Sequence, residues 1–85
     1  MQKFDYVIQD AVGLHARPAG MLVKEAKQWQ SRITVAANGK QCEATKLMAL
    51  MGLCVKSGAT VTVEIDGEDE VACLAAMRSF FENNL

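Results

Sequence analysis

The stretch RITVAANGKQCE, Arg32 to Glu43, decides the fold class. Ile33 and Val35 alternate with Arg32 and Thr34, the two-residue period of a half-buried strand. Asn38-Gly39 follows, and both residues accept the positive φ of a two-residue hairpin turn. Lys40 to Glu43 then returns as a short strand. Strands joined this tightly run antiparallel, since a parallel pair needs a long crossover.

Helices and further strands flank this hairpin on both sides. Towards the C-terminus, Thr45 reads as the cap of a short helix over about 46 to 52, KLMALMG, which Gly52 ends. Ser57-Gly58 makes a turn. Val61, Val63 and Ile65 then alternate with Thr60, Thr62 and Glu64, the clearest strand in the chain. The run Glu68-Asp69-Glu70 suits the positive N-terminus of a last helix, with Cys73, Leu74, Met77, Phe80 and Phe81 as its buried stripe. Towards the N-terminus, Phe4, Tyr6 and Ile8 mark a strand over about 2 to 8. A loop over 9 to 14, closed by Gly13, leads to a helix from Ala16. Its buried face is Ala19, Leu22, Val23, Ala26 and Trp29, with Lys24, Lys27 and Gln28 opposite. Pro18 fits only in the first turn. The order β-α-β-β-α-β-α predicts an α+β open-faced sandwich over residues 1–85 as one domain. It has a four-stranded antiparallel sheet with three helices on one face.

Composition narrows the function classes. With 85 residues there is room for one modest core. A formal net charge of -1 gives no global basic field to hold nucleic acid. No apolar run approaches the ~18 residues of a membrane span, and the first fifteen residues lack the apolar run of a signal peptide. Cys42, Cys54 and Cys73 are scattered, without a CxxC. They read as free thiols in a reducing cytoplasm, Cys42 and Cys73 in the core and Cys54 partly exposed. One histidine and three scattered cysteines do not make a zinc site, so neither a metal nor a cofactor is expected.

The segment GLHARPAG, Gly13 to Gly20, holds the chain's one histidine and one proline. A helix starting at Ala16 puts His15 at or near the N-cap. The first amide N–H groups have no internal partners there and point out of the helix end, where negative charge is favoured. Pro18 has no N–H, leaving those of Ala16 and Arg17 to hold a phosphoryl group carried on His15. The Arg17 guanidinium adds a fork of donors shaped for phosphate oxygens. On spacing alone a capping or surface histidine is the commoner reading. A histidine-dependent hydrolase finds no acid near His15 except Asp10. Leu47, Met48, Leu50 and Met51 crowd a short helix that cannot bury them all, and Met21 lies off the buried face of its helix. The core and a flexible partner-binding surface are both open readings of that cluster. Lys24 and Lys27 are either a solvated face or a positive rim.

The segments GLHARPAG, VKEAK, ITV, NGK and KSGATVTVEIDGEDE, in that order along nearly the whole chain, resemble the HPr family. These are the histidine-containing phosphocarriers of the bacterial phosphoenolpyruvate:sugar phosphotransferase system. The resemblance implies the same open-faced sandwich. It implies that His15 accepts a phosphoryl group at Nδ1 from phosphorylated enzyme I and gives it to the A domain of a sugar-specific enzyme II. Arg17 matches the arginine that steadies the phosphohistidine. The chain is then a cytoplasmic carrier rather than an enzyme, and a monomer is expected because a relay must release each partner quickly. The family places a hydrophobic docking surface where Met21, Leu47, Met48 and Met51 stand, with Lys24 and Lys27 as a rim. Two positions depart from the pattern. Lys46 stands where many members carry a regulatory serine; it has no hydroxyl, and Thr45 beside it reads as a cap, so the serine branch of regulation is expected to be absent. Ala16 stands where some members have threonine, leaving only its backbone amide as a ligand. A paralogue in a regulatory, nitrogen-type phosphorelay without sugar transport is the alternative. A binding module whose histidine never turns over is disfavoured by the His15–Arg17 pair.

Overall fold

A computed structural model describes residues 1–85. Strands β1 (Gln2–Val7), β2 (Arg32–Ala37), β3 (Lys40–Glu43) and β4 (Thr60–Asp66) alternate with helices α1 (Ala16–Ala26), α2 (Leu47–Gly52) and α3 (Glu70–Asn84) in the expected order. The four strands form one antiparallel sheet in the order β1-β4-β2-β3. β4, last in sequence, therefore lies between β1 and β2.

The two-residue period explains the layering. Val61, Val63 and Ile65 of β4 are fully buried on the helix side, whereas Thr60, Thr62 and Glu64 face outward. Val63 pairs with Phe4 on one side and Val35 on the other, and Val35 pairs with Cys42, so one register row crosses the whole sheet. Ala19 and Leu22 of α1, Leu50 of α2 and Cys73, Met77 and Phe81 of α3 complete the core against it. Phe81 meets Phe4 and Tyr6 edge-on at ring separations of 5.8 and 5.6 Å, which anchors α3 over β1. The other face of the sheet carries no helix. Its polar rows pair across strands, as where Thr62 Oγ1 donates to Asp5 Oδ1 at 2.7 Å.

Several local expectations are corrected. The first strand ends at Val7; Ile8 is buried beyond it, its amide bonded to the Ala59 carbonyl. The first helix ends at Ala26 rather than running through Trp29. Gln28 and Trp29 donate instead to carbonyls three residues back, Glu25 and Ala26, which tightens the last turn and ends the α-helical ladder. Trp29 still packs on the core, with Nε1 donating to Glu25 Oε2 at 3.1 Å. Thr45 does not cap α2. Lys46 is the N-cap, because its carbonyl accepts the Leu50 amide, the first bond of that helix. Nor does Gly52 supply the left-handed residue after α2; Cys54 does, at φ 56. Asn38 of the hairpin turn stabilises that exit by donating Nδ2 to the carbonyls of Leu53 (2.8 Å) and Cys54 (3.2 Å).

Of the three thiols, Cys42 departs from its expected place in the core. Cys73 is buried, but Cys42 is only half-buried and Cys54 is exposed. Burial, then the carboxylates of Asp69 and Glu25, push the Cys73 thiol up to about 11, so it stays protonated and inert. Partial burial raises Cys42 as well, with Glu43 adding to the effect. No helix is long and apolar enough to cross a membrane.

Candidate functional site

The site begins with a tightly pinned loop. Asp10 folds it: Oδ1 accepts the Val12 amide at 2.8 Å and its carbonyl accepts the Gly13 amide at 3.1 Å. Ahead of it, the amides of Gln9 and Asp10 both donate to the main-chain oxygen of Leu85. Behind it, Leu14 is buried and its amide donates to the Val55 carbonyl at 3.0 Å. Gly13 makes this approach possible. Its φ is +85, and a Cβ there would lie 2.4 Å from the Val55 oxygen and 2.7 Å from the Lys56 Cα.

Held this way, His15 becomes the N-cap of α1. Its backbone is extended (φ -97, ψ -174), and its carbonyl accepts the Ala19 amide at 2.9 Å. Its side chain makes no capping hydrogen bond, so the half-buried imidazole is not committed to helix structure. The cap position makes Pro18 the third helical residue. Pro18 is buried and brings no N–H. The amides of Ala16 and Arg17, both on exposed residues, are left as the donors at this pole. The Arg17 guanidinium enters no ion pair with a carboxylate of the protein.

An open cleft adjoins this helix end, lined by Asp10, His15, Arg17, Pro18, Met21, Asn83 and Asn84. Asp10, Asn83 and Asn84 thus join the pair. Asn83 and Asn84 come from the end of α3, and nothing in their local sequence points to His15. Asp10 is near in sequence, but its place in the wall follows from the turn that it builds.

Of the residues expected to receive partners, Met21 lines this cleft directly. Met21, Leu47 and Met51 are each about two-fifths exposed (42%, 39% and 38%), and Met48 is exposed at 77%. Leu50, between them, is fully buried, so α2 divides cleanly into a core residue and an apolar outer face. α1 and α2 pack against each other. Lys24, Lys27 and Lys46 are all exposed.

Residues 2–83 match the PTS-HPr family, described as the PTS HPr component phosphorylation site. The chain belongs to the HPr phosphocarrier family. Phosphocarrier protein HPr of Mycoplasma capricolum is 42% identical over 78 residues, which cover 92% of this chain and 88% of that protein. The crystal structure of an HPr from Thermoanaerobacter tengcongensis superposes with a TM-score of 0.90 at 33% identity, covering 96% of this chain and 92% of that one. Crh of Bacillus subtilis, whose crystal structure is a domain-swapped dimer, superposes at a TM-score of 0.77 and 32% identity over all of this chain and 98% of that one. A domain-exchanged dimer therefore occurs among HPr-like folds.

Proposed function

We propose that this HPr-family chain, acting as one unit, relays a phosphoryl group through His15. The observation that carries the reading is the combination at one helix pole: an uncommitted imidazole, two amide donors and an arginine without a protein carboxylate. The lone pair of Nδ1 attacks the phosphorus held by phosphorylated enzyme I. The Nδ1–P bond forms as the donor's bond to phosphorus breaks, and its electron pair stays with the donor. The amides of Ala16 and Arg17 and the Arg17 fork then receive the phosphoryl oxygens. Transfer to the A domain of a sugar-specific enzyme II repeats the exchange with roles reversed. The chain supplies a transient phosphohistidine and needs no cofactor of its own, so it is a carrier rather than an enzyme.

Met21, Leu47, Met48 and Met51 form the docking surface in this reading, with Lys24 and Lys27 as its charged rim. Thioethers repack readily, which suits a surface that meets more than one partner. Such partners must also leave quickly, and we propose a cytoplasmic monomer; sedimentation at micromolar concentration, with a single species of about one chain's mass, tests it. The direct test of the relay is transfer of radiolabel from phosphoenolpyruvate through enzyme I to the wild type and to His15→Ala. Label on the former alone is expected; label on both, or on neither, overturns the reading. Lys46, a cation at the N-cap of α2 where a regulatory serine is common, favours attention to a regulatory phosphorelay as the second reading. Onward transfer to a sugar-specific A domain separates the two branches.

A further inference from the structure

We propose that Asp10 sets how readily the phosphoryl group leaves His15, as the fixed negative charge that offsets Arg17 across the cleft. This rests on the phosphoryl-carrier reading and goes further, to what tunes the carried group. The charges facing the cleft are few. Arg17 and the N-terminal pole of α1 favour a bound dianion. From the loop, Asp10 brings the one carboxylate among the lining residues. The lining residues from α3 are the neutral Asn83 and Asn84, near the helix's C-terminal end, whose partial charge is negative, and the main-chain oxygen of Leu85 beyond them is bound by the amides of Gln9 and Asp10. The two asparagine side-chain nitrogens are engaged within α3, Asn83 with Ser79 Oγ at 3.3 Å and Asn84 with the Phe80 carbonyl at 3.0 Å.

Asp10 cannot easily swing away. Its amide, its carbonyl and Oδ1 are all hydrogen-bonded, and no cation pairs with its carboxylate. A phosphoryl dianion on His15 must therefore share the cleft with a fixed carboxylate. That repulsion raises the free energy of the loaded carrier, while Arg17 and the helix pole lower it. The balance leaves the group held but easily surrendered, which is what a relay between two proteins requires.

Asp10→Asn is the decisive variant, because an asparagine Oδ1 still accepts the Val12 amide and keeps the turn while the charge is gone. The wild type, Asp10→Asn and Asp10→Ala are loaded with phosphoramidate, a small donor that needs no partner protein. Nδ1–P forms as the reagent's P–N bond breaks, and the ring proton leaves with ammonia. Loss is then followed by phosphorus NMR: water attacks phosphorus, Nδ1 keeps the bonding pair, and the ring and inorganic phosphate share the water's protons. Asp10→Asn is expected to hold the group about fivefold longer at low salt, the gap narrowing as salt screens the pair. In a mixture equilibrated through catalytic enzyme I, the variant should likewise hold about fivefold more label than the wild type, by the same electrostatic difference. Equal loss rates for Asp10→Asn and the wild type overturn the proposal, and a change confined to Asp10→Ala assigns Asp10 to the turn alone. If enzyme I fails to load a chain that phosphoramidate loads with the expected Asp10 effect, the relay fails and the charge balance stands. If neither phosphoramidate nor enzyme I modifies His15, both fail.

Discussion

Gly13 is constrained twice, by its left-handed φ of +85 and by main chain where a Cβ would go. Gly13→Ala should cost about 3 kcal/mol, the sum of a positive-φ penalty and a backbone shift, measured by urea unfolding. The shift would also move the leader of His15, so phosphoryl uptake should slow even where the variant remains folded. Arg17 makes the opposite expectation. It enters no ion pair in the protein, so replacing it should leave the urea midpoint unchanged. Uptake from enzyme I should fall about 100-fold in Arg17→Ala, as for other lost donors to developing charge. Lysine keeps the charge and loses the fork, so Arg17→Lys should recover only part of that rate. Equal rates for the lysine variant and the wild type would show that charge alone matters. His15, Arg17 and the two amides were legible because they are local to one helix start. Asn83 and Asn84 were not, because only the packing of α3 brings the far end of the chain to that cleft.

Between elements, one carboxylate joins two distant segments. Asp69, the residue before α3, accepts the amides of Gln30 and Ser31, each at 2.9 Å, and the Ser31 hydroxyl. The Ser31 hydroxyl, then the Gln30 amide, hold its carboxyl below the ordinary 3.8. A depressed carboxylate binds fewer protons folded than unfolded in the acid range. Its contribution is complete above the unfolded value and disappears as pH falls through the folded one. The urea midpoint of the wild type should therefore drop below about pH 4, and Asp69→Asn should flatten that part of the profile. An identical profile for both would remove the carboxylate from acid stability. The acidic run was read as a complement to the α3 dipole, a local account that placed Asp69 correctly and missed its bridge. Helix ends were the least legible feature for a related reason. The end of α2 depends on Asn38, fifteen residues before Leu53, and on a left-handed cysteine that no propensity favours.

At the scale of the molecule, the alternating strands and single-faced helices made the sandwich legible, because period and burial are linked residue by residue. What the outer apolar residues of α2 do lies outside that logic, since exposure without a partner costs little to fold. Met48 is the most exposed of them. Met48→Asp should raise the KM for transfer from enzyme I about tenfold with kcat nearly unchanged, the pattern of lost uniform binding. Its unfolding midpoint should stay that of the wild type. A fall in kcat alone would move Met48 from docking to the transfer step. The strand order carries a different consequence, for how the chain is made. β4 is flanked by β1 and β2, yet leaves the ribosome after both. Until residue 66 has cleared the exit tunnel, β1 has no neighbour to pair with, and the hairpin of β2 and β3 stands alone, marginal by itself in water. Native assembly is thus deferred until β4 has emerged, and a nascent chain stalled before Thr60 should remain open to proteases along most of the length already made.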